Sequence, residues 1–345
     1  MPSKNKIIIY GSFKGMGDLL ETCPVIAAEL AAGNQVKLLL FPGSALAEFV
    51  RLLDFGSGRE NLEIFTLPVS RKLADFQIFF QQMAKIYPDL IWISPHAPRP
   101  SSSWKIPLLL WATKKIYWPK ATLAGATSEP LSSLFDVRVP VDRGLPIALR
   151  ELTAYSMLPD GAPNRLPFPA CVSFVENIQY HRMNPPKYDV VIHPGANAVN
   201  RSWPFAHYAE VVRLLPPQYT IAVVGLPEDI ENMRAVLPKD RNIAYLTGSL
   251  ESAIITLAQA RVIFTMDSGS VHFGNFLRVP GVALFGKSDP RNTVPLDGSV
   301  LPIYERKHPC QPCGKATCNQ PEVYCMTTIA PATVAKALLL KLAIS

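Results

Sequence analysis

The sequence predicts an α/β protein built from two doubly wound, Rossmann-like domains that face each other across a cleft. Short apolar runs alternate with amphipathic helical segments in both halves of the chain. A proline-rich stretch from about Pro159 to Pro186 divides the halves, and each half opens on a strand, a Gly-containing loop and a helix. Alternating βα units imply a parallel sheet covered on both faces, with ligands at the carboxyl ends of the strands. At 345 residues the chain is long enough for two cores.

In the first half, Lys6–Tyr10, Gln35–Phe41, Leu62–Leu67, Leu90–Ser94 and Lys115–Trp118 read as strands, with helices at Leu19–Ala32, Ala45–Leu53 and Phe76–Ile86. Residues 1–165 are therefore expected as one domain. Pro159, Pro163, Pro167, Pro169, Pro185 and Pro186 interrupt any long periodic element, which makes 166–187 a linker. Alternation restarts with strands at Tyr188–His193, Tyr219–Gly225, Ile243–Leu246, Val262–Met266 and Val282–Phe285. Helices at Phe205–Leu215, Glu228–Leu237, Leu250–Gln259 and Ser270–Leu277 separate them, giving a second domain over 188–330. The final segment, 331–345, carries a helix at Pro331–Leu342 that is apolar on one face and is expected to pack back across the cleft.

Composition narrows the function. Hydrophobic residues make up 48% of the chain, and no apolar run approaches the roughly 20 residues of a membrane helix. Met1–Lys6 leads into the first strand without a signal-peptide core, so the expected location is the cytoplasm. The net charge of +7 points to an anionic partner: a phosphorylated substrate or an anionic membrane face, here the inner membrane. Nucleic acid is disfavoured, because Arg71, Lys72, Lys105, Lys114, Lys115 and Lys120 are scattered without an aromatic-interleaved tract.

Three loops carry the chemistry. Gly11-Ser12-Phe13-Lys14-Gly15-Met16-Gly17-Asp18 follows the first strand. Its glycines allow close ligand approach, and Asp18 is either a helix cap or a carboxylate at a cleft edge, placed to act as general base. A dinucleotide site is disfavoured by the glycine spacing and by Phe41-Pro42-Gly43, which puts no carboxylate after the second strand. His193-Pro194-Gly195-Ala196-Asn197-Ala198-Val199-Asn200-Arg201 occupies the matching place in the second half. Small residues beside a flexible Arg suit a diphosphate, with Asn197 and Asn200 as donors and Arg201 as charge. Met266-Asp267-Ser268-Gly269-Ser270-Val271-His272 joins a buried strand to a helix, whose free N–H groups suit a phosphate. This reads as the nucleotide-diphosphate end of a sugar transferase or as an ordinary βα corner with a capping Asp.

Taken in order, Gly15-x-Gly17-Asp18, His193-Pro194-Gly195-Ala196 with Arg201-x-Trp203-Pro204, Asp267-Ser268-Gly269-x-x-His272 and Val279-Pro280-x-x-x-Leu284-Phe285-Gly286 resemble glycosyltransferase family 9, the bacterial ADP-heptose:lipopolysaccharide heptosyltransferases, along almost the whole chain. The resemblance implies a GT-B fold, with the nucleotide-sugar donor in the C-terminal domain and the acceptor in the N-terminal one. It implies an inverting mechanism that needs no catalytic metal. On the same basis Asp18 is the base, and Lys14, Gly15 and Gly17 form the acceptor-side loop. Arg201 stands where the family often has Lys, and Asp267, Ser268, Gly269, Ser270 and His272 bind the diphosphate. Glu228, in Gly225-Leu226-Pro227-Glu228, would contact the ribose. The implied acceptor is the lipopolysaccharide inner core, an anionic glycolipid. The alternatives are a protein acceptor and a non-catalytic nucleotide-sugar-binding protein.

The cysteines divide into two sets. Cys23 and Cys171 are isolated and read as core thiols. Cys310, Cys313, Cys318 and Cys325 cluster late in the chain, and four thiolates at this spacing suit a structural Zn or Fe in a cytosolic protein, the alternative being reduced thiols in a loop. The resemblance adds that the family includes members with a cysteine-rich C-terminal insert, among them heptosyltransferases that modify autotransporter proteins.

Overall fold

The computed structural model describes residues 5–11, 15–40, 45–66, 73–94, 105–126, 132–142, 144–158, 172–196, 198–295, 297–315 and 317–345. Lys14, Cys171 and Asn197 lie outside the described residues, as do positions 166–171 of the expected linker. The chain divides into two compact units, Met1–Ser173 and Phe174–Ser345.

In the first unit, strands β1 (Lys6–Tyr10), β2 (Gln35–Leu40), β3 (Leu62–Thr66), β4 (Leu90–Ile93), β5 (Thr122–Ala126) and β6 (Val137–Val139) form one parallel sheet in the order β3-β2-β1-β4-β5-β6. The central strand β1 pairs Ile8 with Lys37 on one side and with Ile91 on the other. Its Ile7–Tyr10 run is wholly buried, as a strand covered on both faces must be. Helices α1 (Met16–Ala31), α2 (Leu46–Arg51), α3 (Leu73–Met83), α4 (Lys105–Tyr117) and α5 (Ile147–Tyr155) connect the strands. Phe79 and Met83 of α3 and Ile106 and Leu110 of α4 share one core with Ile8, Ile91 and Leu123 of the sheet.

α1 and α5 pack together around buried carboxylates. Glu151 accepts hydrogen bonds from Thr22 Oγ1 (2.6 Å), Trp92 Nε1 (2.8 Å) and Ser94 Oγ (2.9 Å), and Tyr155 OH donates to Glu29 at 2.7 Å. Each such bond offsets part of the cost of burying charge.

The strand expected at Lys115–Trp118 is instead the last turn of α4 and the residue beyond it. Ile106, Leu110 and Trp118 enter one core at helical spacing, and Lys114 is buried in an ion pair with Asp136 at 2.9 Å. The β-branched and aromatic pair Ile116-Tyr117 is exposed, so its strand preference is overridden by the packing of its neighbours. The true strand, β5, escapes a sequence reading because Ala124-Gly125-Ala126 is small. A Cβ on Gly125 would collide with the ring of Phe135, which fills that space.

The second unit repeats the design. Strands β7 (Tyr188–His193), β8 (Ile221–Val224), β9 (Ile243–Leu246), β10 (Ala260–Met266), β11 (Gly281–Phe285) and β12 (Val300–Tyr304) form a parallel sheet in the order β9-β8-β7-β10-β11-β12. Its helices are α6 (Glu176–Met183), α7 (Phe205–Leu214), α8 (Pro227–Val236), α9 (Leu250–Ala258), α10 (Ser270–Leu277), α11 (Pro290–Thr293), α12 (Tyr324–Thr327) and α13 (Pro331–Ile344). Within the expected linker, Glu176–Met183 is the helix α6, which buries Ile178 and packs on α9. Pro185 and Pro186 follow that helix rather than interrupt it. α13 closes the second unit. It sinks Val334, Ala335, Leu338 and Leu342 into a core shared with Val211 and Val212 of α7 and Phe264 of β10. No helix among the described residues is long and apolar enough to cross a membrane.

Candidate functional site

Both sheets have the order in which the winding reverses beside the first strand, and the crevice outside the carboxyl ends at that point is where such sheets take ligands. In the second unit the reversal falls between β7 and β10. The two loops that flank it are those singled out by sequence.

After β7 the chain runs close to α8. A Cβ on Gly195 would lie 3.0 Å from Asp229 Oδ2 and 3.3 Å from His193 Cε1, so any larger residue here would have to displace one of these side chains slightly. A single 3-10 turn, Val199–Arg201, then buries Asn200 and brings Arg201 to the edge of the crevice. After β10, Asp267-Ser268-Gly269 leads into α10, whose first turn holds Ser270 and His272, both buried. Free N–H groups at this helix start and its positive dipole end favour an anion.

Arg201 and Asp267 meet across these loops. Arg201 Nε stands 3.3 Å from Asp267 Oδ2, with the Asp267 side chain 8% exposed and that of Arg201 33% exposed. The distance is that of an ion pair, but among the described residues neither atom has a hydrogen-bond partner. The guanidinium carries five donors in a planar fork and so keeps capacity for a second acceptor.

Beside the pair runs a row of hydroxyls. Ser270 Oγ lies 2.7 Å from Ser268 Oγ and 3.3 Å from His193 Nδ1, and it also bonds Thr265 Oγ1. Burial pushes His193 and His272 down to about 4. Both imidazoles are therefore neutral near pH 7 and can offer a hydrogen bond but no charge.

Two residues of this region were not singled out by sequence. Asp229, rather than the exposed Glu228, faces the glycines of the loops, with Gly225 as well as Gly195 against it. Burial raises its carboxyl above the usual range. The other residue is Lys287, directly after Gly286 at the end of β11. It is 7% exposed, and its Nζ donates to the carbonyl of Lys315 at 2.9 Å. Asn200 Nδ2 donates to the same oxygen at 3.0 Å. The sequence signal available was a lone cation immediately after a wholly apolar strand and a glycine.

The first unit places Gly15 as the extended N-cap of α1 and Gly17 and Asp18 in its first turn, with Asp18 half-buried. One turn on, Glu21 is buried. Desolvation, then the neighbouring carboxylates of Asp18 and Glu151, raise it well above the ordinary range, while Arg150 opposes them. Glu151 itself is pushed up to about 7 by burial, against the three hydrogen bonds it accepts.

Cys310, Cys318 and Cys325 line a cavity of about 570 Å³ together with His308, Glu322 and Tyr324. Burial raises the Cys325 thiol, and the charges of Cys313, Cys318 and Cys310 add to the effect. Thiol donors suit Zn or Fe in kind. In placement they do not yet form a site, because among the described residues no three His, Cys, Asp or Glu side chains are set to hold a metal ion. The segment is fastened by Gln311, which is buried and donates from Nε2 to the Gly286 carbonyl at 3.0 Å.

The chain matches Glycosyltransferase family 9 (heptosyltransferase) over residues 101–324. Lipopolysaccharide heptosyltransferase 2 of Salmonella typhimurium is 37% identical over 113 residues, covering 30% of this chain and 32% of that protein. The match thus spans about a third of the relative's length. The structure of Escherichia coli ADP-heptose lipopolysaccharide heptosyltransferase II superposes with a TM-score of 0.70 at 20% identity, covering 98% of this chain and 99% of that one. E. coli heptosyltransferase WaaC with ADP gives a TM-score of 0.66 at 17% identity over 99% and 100% of the two chains. At these identities the structural likeness is one of fold, and it is the GT-B fold.

Proposed function

The chain belongs to glycosyltransferase family 9, the heptosyltransferases, and from that premise we propose that it transfers a heptose from ADP-heptose to an acceptor hydroxyl with inversion. The observation that carries the reading is the Arg201–Asp267 pair at the start of α10, in the crevice where the sheet's winding reverses. A leaving diphosphate gathers negative charge there. Arg201 and the N–H groups of Gly269 and Ser270 would stabilise it, as preorganised donors do in a desolvated site. Asn200, Ser268 and neutral His272 would add hydrogen bonds, and Asn197 belongs to the same loop. Glu228 remains the proposed ribose contact.

Asp18 would take the proton from the acceptor hydroxyl as its oxygen forms the new bond to the anomeric carbon. The bond from that carbon to the phosphate oxygen breaks, and its electron pair leaves with ADP. A carboxylate placed for this step contributes typically 100- to 10,000-fold. Gly15 and Gly17, with Lys14, would line the acceptor side.

The proposed acceptor is the lipopolysaccharide inner core, met at the cytoplasmic face of the inner membrane. The net charge of +7 supports an anionic acceptor. The four-cysteine segment favours a second reading, a protein acceptor, with Cys310, Cys313, Cys318 and Cys325 holding a structural Zn or Fe. A donor screen with ADP-heptose and common UDP-, GDP- and ADP-sugars, read by nucleotide release with and without each acceptor class, tests these readings. No nucleotide release from any donor would leave a binding protein without turnover.

A further inference from the structure

We infer that Lys287 is a second cation of the donor diphosphate site, held in place by the main chain of the four-cysteine segment; the inference rests on the nucleotide-diphosphate reading above. Lys287 follows β11, the neighbour of β10, so it emerges at the same carboxyl edge of the sheet as Asp267. Lys287 as a residue is nearly enclosed, and the hydrogen bond of its ammonium to the Lys315 carbonyl answers one of three N–H donors. Among the described residues no carboxylate stands in ion-pair contact with it. Structural lysines are enclosed only when paired, because a buried ammonium facing a neutral acceptor carries an uncompensated desolvation cost. A bound anion would supply the missing compensation.

The position of Lys287 ties that anion to the candidate site. The Lys315 oxygen accepts from both Lys287 and Asn200, and Asn200 is the chain neighbour of Arg201. Arg201 and Lys287 therefore both stand near one carboxylate, Asp267. Burial depresses the Lys287 ammonium and the Arg201 charge depresses it further, while Asp267, Cys313 and Cys325 work the other way. A diphosphate seated between the two cations would offset both effects. The Lys315 carbonyl lies between Cys313 and Cys318, so the path of the cysteine segment sets where the ammonium stands.

Calorimetry with ADP and with inorganic pyrophosphate tests the inference on full-length wild-type, Lys287→Met and Lys287→Arg proteins. Lys287→Met should weaken both ligands by about 10- to 100-fold, the range for losing one charge-assisted contact. Its ligand-free melting temperature should equal or exceed wild type, because an unpaired buried charge has been replaced by an apolar chain of similar length. Lys287→Arg should hold affinity within a few-fold. Lys287→Met affinity within twofold of wild type overturns the inference. If Lys287→Met melts lower, Lys287→Arg decides: restored folding with restored affinity supports the role, and restored folding without affinity overturns it. Wild-type protein that binds pyrophosphate but not ADP would refute the donor reading alone, with Lys287 then judged on pyrophosphate. Binding of neither overturns both.

Discussion

Arg201 Nε and Asp267 Oδ2 stand 3.3 Å apart at the mouth of the second sheet, joined by charge and by no hydrogen bond. A pair of this kind holds its cation in place without using up its donors. Arg201→Ala should therefore weaken ADP by about 10- to 100-fold, since a charge-assisted contact contributes roughly 1.5–3 kcal/mol. Arg201→Lys keeps the charge and loses the planar fork, so its loss should be smaller. Calorimetry showing ADP affinity unchanged in Arg201→Ala would remove Arg201 from the site.

Asp18→Asn should cut transfer by about 100- to 10,000-fold with ADP affinity nearly unchanged, because it deletes the proposed base and leaves the anion site intact. Single-turnover rates beside nucleotide affinities separate the two. Transfer within a few-fold of wild type would make Asp18 a helix-start residue only.

The enclosed carboxyl of Glu151 gives a pH signature. Its pKa is about 7 in the folded protein against an ordinary 4.5, so the folded state holds the proton more tightly than the unfolded chain. The resulting stabilisation is full below the unfolded value and is lost as pH rises through about 7, a change of up to roughly 3 kcal/mol. Glu21 titrates in the same direction. His193 and His272, lowered from 6.5 to about 4, act oppositely, and their contribution is lost as pH falls through that window. The comparison of wild type with Glu151→Gln isolates the carboxyl. The melting-temperature difference, wild type minus variant, should fall between about pH 5 and about pH 7.5. A difference that stays flat would mean that Glu151 titrates alike in both states.

Protein purified without chelators should carry about one Zn or Fe per chain if Cys310, Cys313, Cys318 and Cys325 bind a single ion. Replacing any one of them with Ser should then lower metal content and melting temperature together. Elemental analysis finding no stoichiometric metal removes the proposal.

The βα alternation of both units was legible because buried parallel strands such as Ile7–Tyr10 and Val282–Phe285 are apolar throughout. It failed where packing outweighed local preference, at Ile116-Tyr117, and where a neighbour's bulk stood in for the strand's own, at Gly125 against Phe135. The candidate residues in the small-residue loops after β1, β7 and β10 could be singled out in the sequence, since such loops follow a recognisable pattern. Lys287 was not singled out, because a lone cation after an apolar strand and a glycine does not by itself tell an enclosed lysine from one in solvent. Its hydrogen-bond partner is the carbonyl of Lys315, 28 residues further along. Glu228 and Asp229 are adjacent acids in one helical turn, and only the observed rotation of α8 shows which one meets Gly195.

The oxygen that receives both Asn200 and Lys287 belongs to the backbone of residue 315, not to its side chain. Drift in the amino acid at 315 therefore leaves the acceptor in place, and an alanine scan of the cysteine segment would pass over it in silence. Insertions and deletions are a different matter. Losing or gaining one residue between Cys313 and Cys318 would carry that carbonyl away from both donors, so lineages that keep this lysine should tolerate changes of letter here far more readily than changes of length.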